Sequence, residues 1–100
     1  MSIARFAKRR DAAEPEIVEA LRKIGARVWQ QDRPVDLLVG FHGRLVGLEV
    51  KNPGARPRKD QAEQRETIES AQRDGLPFYY VSTIDDALNA VAGLHLASWH

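Results

Sequence analysis

The chain has 100 residues, 43% of them hydrophobic, and a formal net charge of +1 at pH 7. A chain of this length forms one compact domain that buries roughly 60–70% of its unfolded surface, enough for one sheet with a helix layer. The near-neutral balance gives no global basic field, so any nucleic-acid surface must come from local clustering, and the absence of cysteine excludes disulfide frameworks, thiolate zinc sites and cysteine nucleophiles.

Met1 to Asp11 places Arg5, Lys8, Arg9 and Arg10 around Ile3 and Phe6. It reads either as a short helix or basic arm touching phosphates, or as a solvated terminus. The start lacks a sustained apolar region, and no run in the chain approaches membrane-spanning length, so a soluble cytoplasmic protein with no membrane partner is expected. Glu14 to Ile24 is expected to be a helix. Pro15 suits the first turn, Ile17, Val18, Leu21 and Ile24 form an apolar stripe, and Gly25 is a stop signal. Glu14 shares the inward face of that stripe, whereas Glu16 and Glu19 lie off it. A carboxylate so placed is either a partner of the helix dipole or a site residue, and the stripe favours Glu14 over Glu16 for the second role.

Arg27 to Gln30 reads as the first strand, with Asp32, Arg33 and Pro34 in the loop after it. Trp29 is expected to pack in the core or against a loop rather than to offer a base-stacking platform. The stretch Val35 to Lys51, VDLLVGFHGRLVGLEVK, then reads as a hairpin. Its apolar runs, Val35 to Gly40 and Leu45 to Val50, flank the polar insert Phe41-His42-Gly43-Arg44. Asp36, Glu49 and Lys51 interrupt these runs, and a charge in such surroundings costs several kcal/mol unless it is paired or bound to a metal. Glu49 and Lys51 are two apart and share a strand face. A hairpin centred on His42-Gly43 brings Asp36 to Glu49. Two carboxylates and one ammonium therefore gather in one patch that suits magnesium, with the Val50 carbonyl as a further candidate ligand. Lys51 would position the attacking water or neutralise charge growing on a phosphate. The ordinary alternative is a solvated hairpin end with a salt bridge.

Asn52 to Gln61, NPGARPRKDQ, is a Gly/Pro loop made basic by Arg56, Arg58 and Lys59, placed where a phosphate backbone would be held beside the carboxylates. Asp60 to Asp74 is expected to be a helix with a thin stripe of Ala62, Ile68 and Ala71, and Gln61 in its first turn. Pro77 to Ser82 reads as a strand with Tyr79 and Tyr80 on opposite faces. Thr83 reads as the N-cap of a last helix, Ile84 to Ala92, and residues 94–100 as a tail. His42, His95 and His100 are scattered and have no zinc spacing. The order α-β-β-β-α-β-α predicts the α/β class, a mixed sheet flanked by helices.

This order, with Glu14 in EPEIVEAL, Asp36 in VDLLVG, Glu49 and Lys51 in LEVK, Gln61 after a basic loop, and the ending FYYVSTIDDAL, resembles the PD-(D/E)xK nuclease superfamily. Within it the chain looks most like VRR-NUC domains and archaeal Holliday-junction resolvases, over roughly Glu14 to Val91. The resemblance implies a single nuclease domain over residues 1–100 with a restriction-endonuclease-like core. It implies a Mg2+- or Mn2+-dependent endonuclease that hydrolyses DNA phosphodiesters, with duplex or branched DNA as partner, and a homodimer. By the resemblance, Glu14, Asp36 and Glu49 form the acidic metal-binding set, Lys51 is the catalytic lysine and Gln61 a site residue. One departure stands out: the family often has Pro directly before the motif Asp, whereas here Val35 holds that place and Pro34 comes one earlier. Arg56, Arg58 and Lys59, together with Arg9 and Arg10, would contact phosphates without reading sequence. So short a domain fits a phage or mobile element. The competing readings are a nuclease fold that binds nucleic acid or protein without cutting, and a small interaction domain with no nucleic-acid role.

Overall fold

In the computed structural model, which describes residues 13–51 and 61–93, seven elements follow one another. They are α1 (Glu14–Lys23), β1 (Arg27–Gln30), β2 (Leu37–Phe41), β3 (Arg44–Val50), α2 (Gln61–Arg73), β4 (Phe78–Val81) and α3 (Ile84–Ala92). The four strands form one mixed sheet in the order β1-β2-β3-β4, antiparallel across the first three and parallel between β3 and β4. This is the α/β arrangement and the element order expected from the sequence.

Local chemistry accounts for the elements. The two-residue turn His42-Gly43 has positive φ at both positions, +48° and +79°, so its twist matches that of the flanking strands. The polar insert is therefore tighter than expected: Phe41 and Arg44 belong to the strands and pair with each other. At the start of α3 the Thr83 hydroxyl accepts from the Asp86 amide at 3.0 Å. The Asp86 carboxylate in turn accepts from the Ser82 amide at 2.9 Å, so the cap is reciprocal. At its far end, Arg44 Nη1 donates to the Val91 carbonyl at 3.1 Å, which satisfies one of the helix's terminal acceptors.

Residues directly opposite in the ladder share a face. One face carries Val28, Leu37, Val39, Val46, Leu48, Val50 and Val81, which pack against Ile17, Val18 and Leu21 of α1 and Ala87, Ala90 and Val91 of α3 in one core. The other face carries Trp29, Leu38, Gly47 and Phe78 in one row and Glu49 and Tyr80 in another. On this second side α2 packs on β4, and Val35, Ile68 and Ala71 are buried outside the main core. A Cβ on Gly47 would stand 2.9 Å from Phe78 Cδ1 and 3.1 Å from a methyl of Val35, so only glycine fits beneath them.

Three packing expectations change. Ile24, assigned to the apolar stripe of α1, is 43% exposed, because the helix ends at Lys23 and the chain turns away at Gly25. Ala62, assigned to the inward stripe of α2, is exposed, and the helix is anchored by Ile68 and Ala71. Trp29 is 50% exposed rather than packed away, because α2 covers the β4 side of its sheet face and not β1. Among the described residues no helix is long and apolar enough to cross a membrane.

Candidate metal and phosphate site

The site forms at the open end of the hairpin, away from its turn. Register pairs Leu37 with Leu48, so the next row outward sets Asp36 beside Glu49. Each carboxylate binds the backbone of the other strand. Asp36 Oδ2 accepts from the Val50 amide at 2.9 Å, and Glu49 Oε1 accepts from the Asp36 amide at 3.3 Å. The crossed bonds fix both side chains against the sheet. Both are buried, Asp36 7% exposed and Glu49 5%, as the sequence led us to expect of charges set in apolar strands. Gln31, at the end of β1, donates its amide to the Asp36 carbonyl at 2.8 Å and extends the same row across the sheet.

Lys51 follows β3 and is tied to β4 by its amide, which donates to the Val81 carbonyl at 2.9 Å. Its ammonium lies 5.1 Å from the centre of the Tyr80 ring, within reach of the negative face of the π-system. Tyr80 is directly opposite Glu49 in the parallel ladder. Burial pushes the Tyr80 phenol above its usual pKa; the Glu69 and Glu49 carboxylates push it the same way and Arg65 opposes them. A half-buried tyrosine thus stands between the strand-borne Glu49 and Lys51 and the α2 residues Arg65 and Glu69.

Glu14 is 1% exposed, whereas Glu16 and Glu19 are exposed, which separates the two candidates as the helical stripe did. Glu14 Oε2 accepts from the side-chain amide of Gln30 at 3.0 Å, which ties the start of α1 to β1. The structure brings together Asp36, Glu49, Val50 and Lys51. Among the described residues, however, no three or more His, Asp or Glu side chains gather as a ligand group. The carboxylates of the patch form a pair. Gln61 opens α2, and its side chain lies outside the described part of the chain, as do Arg9, Arg10, Arg56, Arg58 and Lys59.

The donor chemistry of the pair fits a hard divalent cation. Magnesium is usually held by one or two carboxylates with water completing its shell, and a carboxylate that accepts one amide hydrogen has further lone pairs for ligation. Val50 contributes its amide to Asp36, a role the sequence reading had not foreseen for it beside its carbonyl.

Two neighbours of these carboxylates carry no local sequence signal. The sequence marks Tyr80 only as a strand residue. Its position opposite Glu49 depends on the parallel register of β3 and β4, which no short turn sets. Gln30 was a strand end; its bond to Glu14 spans sixteen residues and has no local signature. The chain matches no family model, no curated protein and no solved structure.

Proposed function

We propose that the chain is a metal-dependent endonuclease of restriction-endonuclease-like architecture that hydrolyses DNA phosphodiester bonds. The observation that carries this reading is the buried Asp36–Glu49 pair, cross-bonded through the Val50 and Asp36 amides, with the ammonium of Lys51, just past β3, over the ring of Tyr80 that pairs with Glu49. Two adjacent carboxylates with lone pairs beyond those accepting the backbone amides supply the oxygen donors that a hard divalent cation takes.

Asp36 and Glu49 would hold Mg2+ or Mn2+, which when bound neutralises charge on the scissile phosphate and activates a water. Lys51, steadied over the Tyr80 ring, donates to a non-bridging phosphate oxygen or orients the incoming water, so that charge growing in the transition state meets a fixed ammonium. Glu14, held by Gln30, adds negative potential from the α1 side of the sheet. The basic residues Arg56, Arg58, Lys59, Arg9 and Arg10 would take up the backbone of duplex or branched DNA without sequence readout. A homodimer would let two such sites act on one junction.

The second reading is a module that binds without cutting, favoured by the gathering of carboxylates among the described residues as a pair rather than a larger group. Cleavage separates the two. Labelled linear duplex, single strand, flap and four-way junction are incubated with Mg2+, Mn2+ or EDTA. The expected result is metal-dependent cutting that Asp36→Ala, Glu49→Ala and Lys51→Ala each reduce by at least about 100-fold while the proteins stay folded. Absence of cutting on every substrate, with binding retained, would select the binding module.

A further inference from the structure

On the same side of the sheet as the carboxylate pair, but towards the hairpin turn, lies a surface that the proposed reaction does not use. Trp29 belongs to the row Trp29–Leu38–Gly47–Phe78. That row is two residues along the strands from Asp36 and Glu49, roughly 7 Å at strand spacing. The indole lies over Gly40, whose Cβ position is 3.8 Å from Trp29 Cζ3, so the glycine leaves the ring a flat floor. Around it runs a shallow groove of about 610 Å³ with Ile24 and Leu45 on its apolar wall and Arg27 and His42 on its rim; Arg44 also lines it, but its guanidinium is engaged by the Val91 carbonyl of α3. No described residue lining the groove is acidic. Trp29 and Leu45 are 50% and 56% exposed, and the His42 ring is stacked on Phe41 at 3.8 Å.

We propose that this groove binds an unpaired nucleotide of single-stranded DNA, its base stacked on Trp29 and its phosphate held by Arg27. An aromatic face ringed by guanidinium and imidazole groups matches a nucleotide in both of its parts, the π-surface and the anion. A second copy of the chain suits the groove less well, because a two-fold contact would set its cationic rim against itself. If the Asp36–Glu49 pair cuts DNA, the groove, centred about four strand residues or roughly 13 Å from Asp36, receives an unpaired nucleotide away from the scissile bond and favours frayed, flapped or branched substrates. That consequence rests on the proposed nuclease reading, but the binding itself does not.

The test is fluorescence anisotropy of a labelled ten-nucleotide oligothymidylate with the full chain in EDTA, where no cleavage occurs. Trp29→Ala is expected to weaken binding about 10-fold or more and Trp29→Phe, which keeps a ring, less than about 3-fold, in keeping with the usual strength of base stacking. Arg27→Ala is expected to weaken binding and to lower the slope of affinity against salt by about one. Trp29 buries half of its surface, so Trp29→Ala is expected to lower the melting temperature and Trp29→Phe to lower it less, and binding is compared at a temperature where circular dichroism shows every variant folded. Binding by Trp29→Ala equal to wild type overturns the proposal, as does a change in oligomeric state with unchanged DNA affinity, which would give the surface to a second copy. Loss of binding in Trp29→Ala supports it even if no substrate is ever cut. Metal-dependent cutting that is indifferent to Trp29, with unchanged oligothymidylate binding, refutes the groove and leaves the nuclease reading standing.

Discussion

The behaviour of single residues follows from where the sheet puts charge. Glu49 and Asp36 are buried carboxylates side by side, and like charges so placed oppose each other. Glu49→Gln keeps an oxygen to accept the Asp36 amide and removes the charge. Its thermal stability in EDTA is expected to equal or exceed wild type, and a loss of more than about 1 kcal/mol would show the carboxylate to be structural. With Mg2+ or Mn2+ at saturation the order reverses: the ion should raise the melting temperature of wild type, by about 2.7 kcal/mol of stability at a hundredfold excess over Kd, and leave Glu49→Gln unmoved. Tyr80 gives a pH signature. Burial chiefly, with Glu69 and Glu49 adding to it, raises its phenol. A phenol whose folded pKa is raised contributes stability that is whole below the unfolded value near 10 and is lost as pH climbs through the folded value. Subtracting the phenolate absorbance of Tyr80→Phe from that of wild type should leave one group that ionises above about pH 10. A group that ionises at or below that pH would place Tyr80 in water rather than beneath Lys51.

At the scale of elements, two glycines separate backbone cost from packing cost. Gly43 has φ +79° and nothing near its Cβ position, so Gly43→Ala is expected to lose about 1–2 kcal/mol from the left-handed backbone alone. Gly47 lies in a regular strand beneath Phe78 and Val35, so Gly47→Ala is expected to lose about 1–3 kcal/mol by overpacking. Denaturant unfolding of both variants measures this. A neutral Gly47→Ala would mean that Phe78 and Val35 yield freely. The sequence made most elements legible because their signals are local. The Pro15 start, the Ile17-Val18-Leu21 stripe, the His42-Gly43 turn and the Thr83 cap each act within a few residues, and the structure places helices and strands where these signals point. Local signals do not tell which layer covers each face. Alternation along β1 says that Val28 and Trp29 face opposite ways. It does not say that α1 and α3 cover the first and that α2 stops short of the second. Ala62 fails for the same reason: helical spacing defines a stripe, and the extent of the partner surface decides how much of it is used.

For the whole molecule, the near-zero net charge means that any hold on DNA comes from placed groups and not from a long-range field. The candidate site is organised by the hairpin, whose turn at one end sets the register that brings Asp36 and Glu49 together at the other. That much was legible, because a two-residue turn leaves one register. The partners that arrive from farther along the chain were not: Tyr80 comes by a parallel crossover through α2, and Gln30 meets Glu14 only once α1 has packed. The same sheet carries a buried acidic pair, an ammonium steadied on a ring, and an exposed indole towards the hairpin turn.

The central claim is that the Asp36–Glu49 pair is a divalent-cation site, and calorimetric titration of wild type and Asp36→Asn with Mn2+ tests it most directly. The account expects saturable binding to wild type that Asp36→Asn weakens at least about 10-fold, since removing one of two charged ligands from a small hard-ion site removes much of its attraction. Absence of binding to wild type, or equal binding to both proteins, would contradict it.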